Sequence, residues 1–451
     1  MGRAAAVALA LALTVTGTSG TAQAASGTNV APQVSGKTLA DLEAQRKGLF
    51  QQILQEPGNV ELTLKYAQLS SEVGDLEGAI SALERLLILA PQVAEITYQL
   101  GVLYMRLGAY GQASTDFKLA IAAPDATPEL KANAQRYIAI ADKQVVGDYF
   151  IGSFVPGVRY QTNANGGVGD NKIFINGIPV TLSDSAVAAP DYNAFISAAI
   201  HGSHDLQDQG DRINLDGTFY WSKYETQSQL DTIAGELQAG PVLALDRIGL
   251  RNSTLGLYGI ISAVELGGSP YQYVLGAGGV VTLSAGPATF ASRFEYRYED
   301  YQNSVDRPSA ADLTGARMRI TETATVQAGD HLKLYAGAYA ERKEAQVDYK
   351  TDWEAGVSAG ATIAVNAADS QLPPITLDMQ LGLLARLFDS AEPPFVDQRL
   401  DEAGYVQATL NVPVSEKVAA TATATYSKQL SNYDLYVYDD ASLSLALNFG
   451  F

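Results

Sequence analysis

Residues 289–299 read TFASRFEYRYE, in which Phe290, Phe294, Tyr296 and Tyr298 alternate with Arg293, Glu295, Arg297 and Glu299. A strand turns its side chain to the opposite face at every residue, so one face here is aromatic and the other charged. Repeated charge is costly against a dry core but tolerable against a water-filled lumen. The segment RINLDGTFYW sets Ile213, Leu215, Phe219 and Trp221 against Arg212, Asn214, Asp216 and Thr218, and HLKLYAGAYAE sets Leu332 and Leu334 against Lys333, Tyr335 and Tyr339. The segment SLSLALNFGF, residues 442–451, is apolar at Leu443, Leu445, Leu447, Phe449 and Phe451. As a soluble edge strand this face would invite aggregation, whereas in a membrane barrel it meets lipid.

Such segments begin near residues 149, 192, 212, 228, 253, 270, 288, 313, 331, 351, 375, 402, 417 and 436, which predicts an antiparallel transmembrane barrel of about fourteen strands. An even number puts both barrel ends on one side. It also lets SLSLALNFGF pair with YFIGSFVPGVRY, residues 149–160, and close the sheet without edges. LQDQGD, AGPA, AGDH and PVSEK read as short periplasmic turns, while residues 163–191 and 389–402 read as longer outward loops. Within the former, GGVGDN reads as loop punctuation. The 24 tyrosines suit an aromatic girdle. The rival fold, a soluble β-sandwich or β-helix, needs an inner face free of repeated charge.

Before residue 148 the period changes. Thr63, Tyr66, Ala67, Ser70, Gly74, Ala79, Leu83 and Leu86 recur 34 residues later as Thr97, Leu100, Gly101, Tyr104, Gly108, Ala113, Phe117 and Ala120. This pattern resembles the tetratricopeptide repeat, whose small residues let paired helices approach closely. Gly74 and Gly108 fall where a helix stops and turns. Further helices are expected at residues 39–55 and 128–145, the second capped by Thr127 with Pro128 in its first turn. In repeat terms Gln68, Tyr98, Val102 and Arg106 face a concave client-binding groove.

The overall expectation is a short helical solenoid followed by a membrane barrel. Residues 1–24 read as a signal peptide, 25–37 as a linker, 38–146 as periplasmic repeats and 147–451 as an outer-membrane barrel. The basis for the signal is Arg3, the apolar AAAVALALALTV and the small-residue site AQA ending at Ala24. The chain has no cysteine, hence no disulfide. Residues 148–451 carry 19 Lys and Arg against 36 Asp and Glu, which argues against nucleic-acid binding. That acidity reads as solvated loops.

No catalytic constellation is evident. His201 and His204, three apart, point to opposite faces of a strand and cannot share a metal. Ser203 lacks an activating neighbourhood, and the carboxylate pairs Asp439–Asp440 and Asp205–Asp208 fall in turns or loops. No phosphate-binding glycine loop is present, and no cofactor or metal is expected. The inward ladder Arg293, Glu295, Arg297 and Glu299, beside Arg317 and Arg319, would line the lumen. It would serve either pore selectivity or, the favoured reading, cross-strand ion pairing.

A signal sequence, short tetratricopeptide repeats and a barrel together resemble the surface lipoprotein assembly modulator (Slam) family. At the barrel entry YQTNAN matches that family's Tyr-Asp-Ser-Asn-x-Asn start at Tyr160, Asn163 and Asn165 and departs from it at Gln161 and Thr162. The resemblance implies an outer-membrane factor whose periplasmic repeats capture a client lipoprotein or protein for delivery to the cell surface. Its other partners would be outer-membrane lipid and the barrel insertion machinery. An exopolysaccharide-export porin and a passive channel are the alternatives.

Overall fold

The computed structural model describes residues 39–144, 148–206, 210–250, 252–365 and 372–451. The expected signal peptide lies outside the described residues, as does the linker.

The helical unit contains α1 (Leu39–Gln55), α2 (Val60–Glu72), α3 (Leu76–Leu89), α4 (Ala94–Leu107), α5 (Tyr110–Ala122) and α6 (Pro128–Gln144). The caps follow from residue type. Asn59 accepts from Leu62 N at 3.1 Å, Asp75 from Gly78 N at 2.9 Å and Thr127 from Leu130 N at 3.2 Å. Gly74 and Gly108 take φ of 89° and 83°, so each ends the first helix of its pair in a conformation that Cβ-bearing residues avoid. Ala67, Ala79, Leu83, Leu86, Ile96 and Leu100 form a continuous core between the two pairs. Gly101 lets α4 meet α5 closely, since a Cβ there would lie 2.8 Å from Phe117 Cε1.

The second unit is a closed barrel. Its strands are β1 (Tyr149–Gln161), then, after the short loop strands β2 (Lys172–Ile175) and β3 (Ile178–Thr181), β4 (Asp191–Asp205), β5 (Arg212–Tyr224), β6 (Thr232–Ala244), β7 (Ser253–Leu266), β8 (Ser269–Ala285) and β9 (Ala288–Tyr301). It continues with β10 (Gly315–Gln327), β11 (Leu332–Lys343), β12 (Asp352–Val365), β13 (Ile375–Phe388), β14 (Leu400–Ser415), β15 (Val418–Ser431) and β16 (Tyr438–Gly450). Fourteen strands close the ring, each beside its sequence neighbour, with β1 between β4 and β16. Every start falls within four residues of the position read from alternation.

The closing seam places Val158 opposite Leu445 and Tyr160 opposite Leu443. It continues through Gly152 N to Phe451 O at 2.9 Å and Phe451 N to Gly152 O at 3.1 Å. Leu443, Leu445, Leu447, Phe449 and Phe451 are exposed on the outer face, as are Phe290, Phe294, Tyr296 and Tyr298. A closed ladder leaves no free sheet edge in lipid, and this apolar outer belt completes the requirement for spanning a bilayer.

Antiparallel succession puts the connections 206–211, 286–287, 328–331 and 416–417 at the end where β1 begins, here the near end. The connections 162–190, 302–314 and 389–399 belong to the opposite, far end.

Two expectations need correcting. The segment 163–191 is not a bare loop, because it contains the β2–β3 hairpin turned at Asn176 and Gly177, with φ of 51° and 80°. The Asn-Gly pair between IFI and IPV is a strong hairpin signal that the loop reading passed over. The tyrosines, in turn, do not all form a girdle. Tyr160, Tyr192 and Tyr273 face outward, but Tyr258, Tyr335 and Tyr339 lie across the inner wall, with hydroxyls donating to Glu295, Asp378 and Glu354. Glycines make room for them: a Cβ on Gly278 would lie 2.6 Å from Tyr258 Cζ.

Candidate functional site

The lumen has two contrasting halves. Near-end inward positions such as Asn214, Thr218, Gln238, Lys333, Asp378 and Asn411 are polar and part-exposed. In the far half the inward side chains are buried, and the far-end loops account for it. Phe195, Tyr220, Tyr224, Val264, Leu266 and Tyr271 form an apolar cluster on the wall from β4 to β8. Ala164, Leu230 and Ala310, all from far-end loops, pack into the same cluster. A loop that brings apolar side chains into a barrel removes them from water, and this burial holds it there.

The facing wall, β9 to β14, is held by ion pairs, and all the charged residues expected there come together. Arg297 pairs with Glu295 at 3.1 Å and with Glu236, across two intervening strands, at 2.6 Å. Arg293 approaches Glu295 at 3.4 Å. Arg317 bonds Glu299 at 2.7 Å and also Glu341, which Arg319 reaches at 3.3 Å. Lys343 adds a second partner for Glu299 at 3.3 Å, and Arg386 pairs with Glu354. The ladder thus pairs along β9, through Glu295 with Arg293 and Arg297, and across strands, through Arg317 with Glu299 and Glu341.

Glu236, Glu341, Lys343, Glu354 and Arg386 were not singled out from the sequence. Parity alone points Glu341 and Lys343 inward, continuing the face of Tyr335 and Tyr339, and was the available signal. The acidity is also not confined to solvated loops. Glu299, Glu341, Asp352, Glu354 and Asp401 are buried in the barrel wall. Burial and pairing go together here, because an unpaired buried carboxylate would cost several kcal/mol.

The YQTNAN stretch opens the largest of these loops. Asn163 donates its side-chain N–H to Gly167 O at 2.8 Å and Asp439 O at 3.0 Å, and its Oδ1 accepts from Gly167 N at 2.9 Å. Asn165 donates to Val187 O at 2.8 Å and accepts from Ala189 N at 2.9 Å. Thus Asn163 and Asn165 pin the two arms of loop 162–190 to each other or to β16.

Within the helical unit the groove candidates separate. Tyr98 stands edge-on to Phe117 at 5.6 Å and to Tyr137 at 6.2 Å, and Val102 packs on the same cluster. Burial raises the Tyr98 hydroxyl pKa. Arg106 reaches back to Ser71, donating to its hydroxyl and to its carbonyl, the latter at 3.1 Å. Gln68 is exposed and donates to Glu72 at 3.2 Å. Asp116, not singled out from sequence, is 5 % exposed and has one carboxylate oxygen without a partner among the described residues. Burial pushes its pKa up to about 6.

The barrel is of the transmembrane type, closed and apolar on its outer face. No family model matches the chain, and no curated protein matches it. Among solved structures, it is similar to an anion-selective porin from Comamonas acidovorans, at 10% identity over 68% of this chain and 99% of that one, with a TM-score of 0.35. It is also similar to a loop L8 deletion mutant of OmpT, an outer membrane protein of Vibrio cholerae, at 10% identity over 67% and 99% of the two chains, with a TM-score of 0.36. A third similarity is to the globular C-terminal domain of P. aeruginosa LpoP, at 29% identity over 19% of this chain and 82% of that domain, with a TM-score of 0.19.

Proposed function

We propose that this protein is an outer-membrane transport or assembly factor of the Slam-like kind, in which periplasmic helical repeats capture a client lipoprotein or protein and the barrel helps deliver it to the cell surface. The supporting observation is the lumen itself, lined by polar, part-exposed side chains in its near half and by buried side chains with far-end loop residues packed on them in its far half. Loops packed into the mouth suit a factor that responds to a client better than a channel for passive diffusion. The direct chain connection between α6 and β1 supports a periplasmic repeat unit, because an even number of strands returns both barrel ends to one side.

Export of an acidic polysaccharide fits less well, since Arg297, Arg317 and Arg386 of the lumenal wall are engaged by carboxylates rather than free to attract an anionic polymer. The deciding experiment compares intact cells with and without the gene by protease shaving and quantification of released peptides, with surface glycan stained in parallel. Selective loss of one or a few surface proteins is expected. Loss of glycan alone would favour the polysaccharide exporter, and an unchanged surface the passive channel.

A further inference from the structure

The connection between β9 and β10 carries a cation into the packed far mouth. Arg307 is 5 % exposed, while Val305, two residues before it in the same connection, is 99 % exposed. Arg307 Nη2 donates to Gln229 O at 2.6 Å, and its Cζ stands 5.6 Å from the centre of the Tyr271 ring. Its Nε–H has no acceptor among the described residues, and neither does the hydroxyl of Tyr271, a residue 4 % exposed.

The charge is equally uncompensated. Buried cations elsewhere in this mouth have carboxylate partners, Lys343 with Glu299, Lys350 with Glu392 and Arg399 with Asp401. None of the ion pairs among the described residues includes Arg307. Glu299, the carboxylate facing Tyr271, is already held by Arg317 and Lys343. Asp306, the adjacent acid, is exposed. Burial draws the Arg307 guanidinium pKa below its ordinary value.

A buried guanidinium without a counter-charge is strongly unfavourable, and a water molecule would satisfy its hydrogen bond but not its charge. An oxyanion satisfies both, because its oxygens accept from a guanidinium and a phenol together. We propose that Arg307 and Tyr271 form a binding site for a small oxyanion, a carboxylate or inorganic phosphate, at the far mouth of the barrel. The bound anion would tie the β9–β10 connection to β8 and to the β5–β6 connection through Gln229.

The test uses the full chain folded in detergent micelles. Thermal unfolding is followed while sodium formate or sodium phosphate is titrated, against the sodium salt of a bulky sulfonate at equal ionic strength. A saturable rise in Tm with formate or phosphate, absent with the sulfonate, is expected. Arg307→Gln should abolish it. Tyr271→Phe, which keeps the ring and removes only the hydroxyl, should weaken the apparent affinity about tenfold. The proposal is overturned by a wild-type response no larger than the sulfonate control, which would show solvent-type screening only, or by a response that persists unchanged in Tyr271→Phe and Arg307→Gln. Should Arg307→Gln fail to fold, the wild-type and Tyr271→Phe titrations decide the matter.

Discussion

Asn163 donates its backbone N–H to Asp440 Oδ1 at 2.9 Å, tying the loop that leaves the first strand to the last strand of the barrel. Asp440 also accepts from Thr162 Oγ1 at 3.1 Å and from Gln161 Nε2 at 3.3 Å. One carboxylate thus anchors the base of loop 162–190, whose Ala164 packs into the lumenal cluster. Asp440→Ala should loosen that loop and open the far mouth. In planar bilayers the variant is expected to show larger or more frequent conductance steps than wild type; equal traces would mean that this loop does not close the lumen.

The seam between β1 and β16 depends on a glycine. A Cβ on Gly152 would lie 2.4 Å from Phe451 Cζ and 2.9 Å from Ala199 O, so there is no room for a side chain. Gly152→Val is expected to destabilise the barrel by about 1–3 kcal/mol through overpacking. The readout is the temperature at which the compact barrel band converts to the unfolded position in gel electrophoresis, which should fall. A Phe451→Ala change made in the Gly152→Val background should restore part of the loss, because it removes the ring that the new methyls strike.

Arg317 is the hub of the charged wall. Arg317→Met leaves Glu299 and Glu341 each with one cation fewer in a buried setting, at an expected cost of about 3–5 kcal/mol. Replacing Arg317, Glu299 and Glu341 together by apolar residues should cost less than Arg317→Met alone, since no buried charge is orphaned. Urea unfolding in detergent measures both. Trp221 and Trp353, the two tryptophans of the chain, lie in β5 and β12 and report on the barrel specifically. A triple variant weaker than the single one would contradict this reading.

Asp116 makes the helical unit sensitive to pH. Its folded pKa, about 6, lies above the ordinary 3.8, so the folded state holds a proton that the unfolded state releases. Stability from this group is present below pH ~4 and lost as pH rises through ~6, to the extent of about 3 kcal/mol. Asp116→Asn should flatten that dependence and raise the helical melting temperature at pH 7. Circular dichroism melts of the full chain at pH 4.5 and 7 compare the two proteins.

The alternation in residues 289–299 revealed the face of every residue because lipid and water are chosen between at each successive side chain. The same parity located the strands and sent Arg293, Glu295, Arg297 and Glu299 to the inner wall, where they lie. The 34-residue period likewise located the helices and the turn glycines Gly74 and Gly108. It did not disclose that Arg106 turns back to Ser71, because a long side chain has several partners within reach and the neighbouring repeat selects one. Nor did it disclose the burial of Asp116, which depends on helices packing around it.

Local periodicity alone therefore determined the two-part architecture, the barrel's inner and outer faces and the pairing of its first and last strands. Tertiary structure decided that Glu236 meets Arg297 across two strands, that Asn163 finds Asp440, and that far-end loop residues pack onto the inner wall. Each of these joins residues far apart in sequence. Such contacts form only when ring closure has brought their strands together, and no short-range pattern carries that information.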